Sequence, residues 1–359
     1  MRGASFRSDK FSEQGDAITM NSFTRTMLSL KHKEPDRVPL FLLFTYYGAR
    51  ELGINIKDYL SKAENIVEGQ KRLLAKFEHD CLYPFTHAAL EASVFGQEIE
   101  FYDDGPPNAG EPILKSRDDI FKMEIPDPVK HDGCREALKA VVALAKEYKN
   151  KVPILSSVIG PFSLPIMLLG LKGWIEIFVA EDKEAIDAMV AKTSAFCVRW
   201  TNLIFDSGAD AVGFFEPFGS ATMVTPKEFE KYILDVDKNV ISQFKGPAIF
   251  CGAGGRIEPI FDKLIGSGVA GCLLSVDDDL ENIKNKYGAN MVIAGNLNNI
   301  AMVGWDYDTA KSQAAKCIEK AKKGSGYILA DQHGEISWEV KEEALRGIAD
   351  AVKEFGTYR

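Results

Sequence analysis

Short apolar runs recur along this chain, and several end in a residue able to do chemistry. Val212-Gly213-Phe214-Phe215 runs into Glu216, Ala248-Ile249-Phe250 into Cys251, and Cys272-Leu273-Leu274-Ser275-Val276 into Asp277. Met291-Val292-Ile293-Ala294 leads to Gly295-Asn296, and Tyr327-Ile328-Leu329-Ala330 to Asp331-Gln332-His333-Gly334. A continuous apolar run is how a strand buried on both faces reads in a parallel sheet. The pattern predicts eight strands, near 38–44, 81–85, 152–158, 210–216, 247–252, 271–276, 291–297 and 326–330. Helical patterns lie between them. One opens with Thr225 as N-cap and Pro226 at the first helical position, where the missing N–H costs nothing. The turns at 208–210 and 268–271 carry glycine where a helix hands over to a strand. Strand–helix alternation implies a parallel sheet. Eight strands favour a closed (β/α)8 TIM barrel over a doubly wound sheet.

The remainder is organised around that unit. Residues 1–20 are polar, lack periodicity and read as a flexible leader. A helix is expected from Asn21-Ser22, with Phe23, Met27, Leu28 and Leu30 on its apolar face. Residues 21–359 read as a single barrel domain. The stretch from 86 to 151, after the second strand, is too long for one helix. Its turn-rich segment, residues 101–108, predicts a hairpin or a cap over the barrel mouth.

Composition narrows the function classes. The 359 residues are 46% hydrophobic and 26% charged, ordinary for a globular protein. A formal net charge of -9 argues against nucleic acid as partner, because phosphate binding needs basic surface. No apolar run reaches the roughly 20 residues needed to cross a bilayer, and the N-terminus shows no signal-peptide core. The six cysteines are scattered without a CxxC pair, which suits a reducing cytoplasm. No G-x-G-x-x-G follows a strand, so a nicotinamide cofactor is not indicated. Cys251-Gly-Ala-Gly-Gly-Arg256 lacks the Lys-Ser/Thr of a P-loop.

Taken together, the motifs resemble the uroporphyrinogen decarboxylase superfamily and, within it, the cobalamin-dependent methyltransferases. The resemblance runs from about Ser22 to near the C-terminus. It rests on Asp36-Arg37-Val38-Pro39, on Gly208-Ala209-Asp210-Ala211 through Glu216-Pro217, and on Ser220 and Thr225-Pro226-Lys227-Glu228-Phe229. Gly295-Asn296-Leu297 and Gln332-His333-Gly334-Glu335-Ile336 complete it. It implies a (β/α)8 barrel. The decarboxylases grip a many-carboxylate tetrapyrrole with an arginine-rich loop after the first strand. Here that loop reads Phe44-Thr45-Tyr46-Tyr47-Gly48-Ala49-Arg50, and the decarboxylases' acidic residue after strand two has no match in Phe85-Thr86-His87. Porphyrinogen decarboxylation is therefore not expected.

The methyltransferase branch binds zinc through His-x-Cys at the end of strand five and a Cys after strand eight. In this chain Cys251 matches, Ile249 occupies the His position, and His333 stands where the second Cys would be. Catalytic zinc takes three protein ligands and keeps an open position. The resemblance implies zinc on Cys251 and His333, and Glu216, a carboxylate directly after an apolar strand, is expected as the third ligand; Glu216 and His333 are also expected as catalytic groups. Tyr46, His87 and Asn296 are expected to line the cofactor site, His87 with Glu91 one helical turn away. Asp277-Asp278-Asp279 reads instead as a helix start, where acids complement the dipole. Cys81, Cys134, Cys197, Cys272 and Cys317 read as structural. The expected activity is transfer of a methyl group between a small molecule, preferentially a methoxylated donor, and a corrinoid carried by a partner protein. The alternatives are a metal-free decarboxylase-like lyase and a non-catalytic binding protein on the same barrel.

Overall fold

The computed structural model describes residues 20–358. The expected leader lies outside the described residues apart from Met20. Six parallel strands form one sheet in sequence order: Leu155–Ile159, Ala211–Phe215, Ala248–Cys251, Gly271–Leu273, Val292–Ala294 and Tyr327–Ile328. They are the third to eighth of the predicted strands, each shorter than its apolar run. The first two predicted strands survive as single bridges, Leu40 with Leu329 and Leu82 with Ile154. Phe41 N–H donates to Leu329 O at 2.8 Å, Asp80 N–H to Leu40 O at 2.7 Å, and Leu82 N–H to Pro153 O at 2.8 Å. These bonds link the sheet's outer strands through both segments, in the order of a (β/α)8 barrel. Pro39 and Pro84 lie within the two segments and have no N–H for a ladder.

Strand side chains alternate between two hydrophobic clusters, as a period of two requires. Phe214, Phe250, Cys272, Ile293 and Leu329 pack outward with the helices. Leu43, Tyr83, Cys251, Leu273, Val292 and Ile328 pack inward, around the barrel axis. In register, Phe215 stands beside Cys251 and Cys251 beside Leu273.

Local signals placed the helices well. Ser22–Leu30 starts from an Asn21 cap whose side chain accepts from Thr24 N–H. The Thr225-Pro226 start carries a full capping box with Glu228 and continues through Phe229–Ile233 into Leu234–Ile241. The 86–151 stretch contains the expected hairpin, Ile99–Glu100 against Asn108–Ala109. It also contains the helices Ala89–Val94, Arg117–Lys122 and Asp132–Tyr148. Asp279 caps Leu280–Tyr287, as the acidic triplet predicts. None of the described helices is long and apolar enough to cross a membrane, and all six cysteines are free.

Candidate active site

The loop after strand eight shapes the mouth. Asp331 is buried, and one carboxylate oxygen accepts from His333 N–H at 2.8 Å, Gly334 N–H at 2.6 Å and Glu335 N–H at 3.1 Å. Gly334 holds φ at +90°, and a Cβ there would lie 2.6 Å from the Phe215 ring, so glycine is required. The other oxygen of Asp331 is buried with no hydrogen-bond partner among the described residues. Burial pushes its carboxyl above the usual range, against the pull of those N–H groups.

His333 and Glu335 emerge half-buried from this turn. Burial lowers the His333 imidazole against the nearby Asp331 charge, so the neutral ring is favoured. Glu335 accepts from Thr45 Oγ1 at 2.8 Å. Burial, with a smaller push from Asp331, raises its carboxyl to about 7 despite that bond. Tyr46 is buried beside Glu335 and stacks on Trp338 at 6.4 Å. Burial raises its phenol well above the ordinary 10.0.

Cys251 faces the barrel axis. Its Sγ accepts from Ala253 N–H at 3.4 Å and donates to His333 O at 3.7 Å. Burial pushes the thiol up to about 12, which keeps it protonated at neutral pH. Below it, Tyr83 Oη and Ser157 Oγ share a 2.5 Å hydrogen bond, and Phe85 stacks on Phe215 at 6.2 Å.

Glu216 stands apart from this group. It follows the inward-facing Phe215, so the strand's alternation turns it outward, among the helices. Its carboxylate accepts from Phe162 N–H at 3.0 Å and from Ser163 Oγ. Burial lifts it to about 8 against those bonds. Asp237, deeply buried nearby, is raised as well, first by burial and then by the Glu216 charge. A zinc site needs Glu216, Cys251 and His333 to converge. Cys251 meets the His333 loop, but the Glu216 oxygens are engaged elsewhere. Among the described residues no group of three His, Cys, Asp or Glu side chains could hold a metal ion. The expected donor set does not fit zinc in this arrangement.

His87 is buried edge-on to Phe101, and burial lowers its imidazole to about 3. Glu91 lines the same water-sized space as His87, accepts from Ile159 N–H at 2.9 Å and is raised by burial to about 8. Asn296 donates to Ser275 O at 2.8 Å, so it ties two strand-end loops together. The structure thus groups Tyr46, Cys251 and His333 at the mouth and sets Glu216 outside the barrel wall. Sequence reasoning named Asp331 and Glu335 only as flanks of His333 and missed Thr45, Tyr83 and Ser157. The available signal was Asp331 two residues before His333, an aspartate placed to bind its own downstream N–H groups.

Arg50, the one arginine in the first-strand loop, donates to Trp338 O at 2.8 Å and Val340 O at 2.9 Å and lies over the Tyr47 ring. Arg256, after strand five, pairs with Glu258 at 2.9 Å.

Comparison with known proteins agrees with this architecture. A curated methylcobamide:CoM methyltransferase, MtbA of Methanosarcina acetivorans, is 27% identical over 61% of this chain, and the match spans 64% of that relative. A uroporphyrinogen decarboxylase of Trichlorobacter lovleyi is 26% identical over 71% of the chain and 74% of its own length. The solved structure of a methyltransferase from Methanosarcina mazei superposes with a TM-score of 0.82 at 16% identity. It covers 93% of this chain and 99% of the neighbour, which confirms the fold. The uroporphyrinogen decarboxylase (URO-D) family model matches residues 21–355. The chain belongs to the uroporphyrinogen decarboxylase family.

Proposed function

We propose that this protein is a corrinoid-dependent methyltransferase that demethylates a small methoxylated donor, with the corrinoid brought by a partner protein. The observation that carries the choice within the family is the charge of the mouth. The loop after strand eight brings Asp331, His333 and Glu335 there, Arg50 is bound to the carbonyls of Trp338 and Val340, and Arg256 after strand five is paired with Glu258. A porphyrinogen bearing many carboxylates would meet acids there and two arginines that are already engaged. The likeness to the methylcobamide:CoM methyltransferase supports methyl transfer over decarboxylation and is silent on the methoxylated donor.

When bound, the partner's reduced corrinoid would supply the nucleophile that accepts the methyl group as the donor's carbon–oxygen bond breaks. The oxygen left behind carries the negative charge and needs a proton. Glu335, held by Thr45, sits at the mouth to deliver it, and His333 beside it can return one from solvent. Asp331 fixes both by clamping their N–H groups. Tyr46 and Trp338 offer an aromatic wall to the donor. Metal content of the wild-type and Cys251→Ser proteins decides on zinc separately: zinc present in the first and lost in the second would restore the thiol as a ligand.

The test supplies a reduced corrinoid protein with methoxylated compounds in one assay and methylcobalamin with thiols in another. The reading expects methylation of the corrinoid in the first, seen in its visible spectrum. Robust thiol methylation with no demethylation would reverse the direction of transfer. Turnover of a tetra-acidic porphyrinogen would overturn the reading altogether.

A further inference from the structure

Beneath the mouth, the barrel interior is not filled. A cavity of about 320 Å³ runs along its axis. Strands three to eight all contribute to its wall, through Leu155, Gly213, Ile249, Leu273, Val292 and Ile328. The first two segments add Phe41 and Tyr83, and Cys251 forms part of the lining. Asp331, His333 and Glu335 do not line it. The helix Ser22–Leu30 closes the opposite end with Phe23, Thr26, Met27 and Leu30.

Interiors of (β/α)8 barrels are ordinarily packed by layers of bulky branched side chains. Here several inward positions hold Ser157, Gly213, Ala294 and Ala330 instead. An apolar void of this kind stays dry, and its lining loses contacts that an occupant would restore. The wall offers no free charge. Asp210, the one carboxylate at the lining, is held by Lys149 at 2.5 Å and by Ile154 N–H at 2.9 Å. Tyr83 and Ser157 are hydrogen-bonded to each other. The Thr26 hydroxyl, buried at the floor, has no partner among the described residues.

We propose that this cavity is a binding site for one neutral apolar molecule carrying a single hydroxyl or ether oxygen, which pairs with Thr26. A cavity of roughly 150 Å³ takes benzene. This one, about twice as large, would take a fused or linked pair of rings or a chain of about a dozen carbons. The proposal does not rest on methyl transfer: Cys251 and Gly334 are shared with the mouth, but the polar anchor is Thr26 on the N-terminal helix.

The probe is 2-naphthol, titrated into the full chain by calorimetry and by its own fluorescence. One molecule should bind per chain and raise the melting temperature. Val292→Phe fills the cavity and should weaken binding at least tenfold, and Ile328→Phe on the adjacent strand repeats the test should the first variant not fold. Thr26→Val should weaken 2-naphthol several-fold and leave naphthalene unchanged. Crystals of the wild-type chain soaked with 6-bromo-2-naphthol locate the bromine directly. Absence of binding up to the solubility limit, bromine outside the barrel, or undiminished affinity in a folded filled variant would each overturn the proposal.

Discussion

Two buried aspartates at opposite ends of the barrel meet different fates. Asp80, fully buried at the floor, receives Arg25 and Arg37, each at 2.6 Å, together with Ser22 Oγ and Leu40 N–H. Asp331, equally buried at the mouth, has no cation paired with it among the described residues. One oxygen clamps a loop and the other is left unpartnered. The floor spends its charges on one another and fastens the N-terminal helix to the barrel. The mouth keeps its acids unneutralised, with Asp331 and Glu335 both raised above the ordinary carboxylate range. In barrels of this class the floor serves stability and the mouth chemistry. The same residue type, equally buried, is separated into the two roles by its partners.

The largest expected effect breaks the floor. Asp80→Asn strands two guanidinium groups and should cost about 3–5 kcal/mol in denaturant unfolding, as for other buried pairs that lose one partner. Activity per folded molecule should hardly change. A loss of under about 1 kcal/mol would show that the ion pairs are dispensable. Asp331→Ala reverses the balance. It frees three N–H groups, at about 1–3 kcal/mol, and lets His333 and Glu335 shift. A misplacement of that kind should slow turnover about 100-fold. Normal turnover with a large stability loss would erase the distinction between the two ends.

A third prediction uses pH. Glu91 is raised from its ordinary 4.5 to about 8 by burial. The folded chain therefore holds a proton that the unfolded chain releases above about pH 4.5. Its contribution to stability declines as pH rises from there to about 8 and is constant beyond. Glu91→Gln should remove that part of the slope in melting temperature against pH, and an unchanged slope would reject it. The smallest effect is expected at Asn296. Its bond to Ser275 O joins two strand-end loops, so Asn296→Ala should cost about 1 kcal/mol and leave corrinoid-protein affinity intact. A fall in that affinity would return Asn296 to the binding surface.

The sequence by itself determined the strand–helix alternation, the order of the strands and the caps of individual helices, because these follow from local periodicity and local hydrogen bonding. Apolar runs marked where strands lie but not how long they are, since ladder length depends on the neighbouring strand and on prolines such as Pro39. The residues around Cys251 and His333 were legible as strand-end positions. Glu216 was misjudged as their neighbour because position along a strand says how high a residue sits, not which face it takes. Its parity against Phe215 was already readable, and the engagement with Ser163 and Phe162 only follows once strand three lies alongside. Tyr83 with Ser157, and Thr45 with Glu335, are joined across 74 and 290 residues of sequence. The axial cavity is likewise invisible in one dimension. Each strand's inward side chain is unremarkable alone, and only the six strands and two bridged segments together show that the interior is left unfilled.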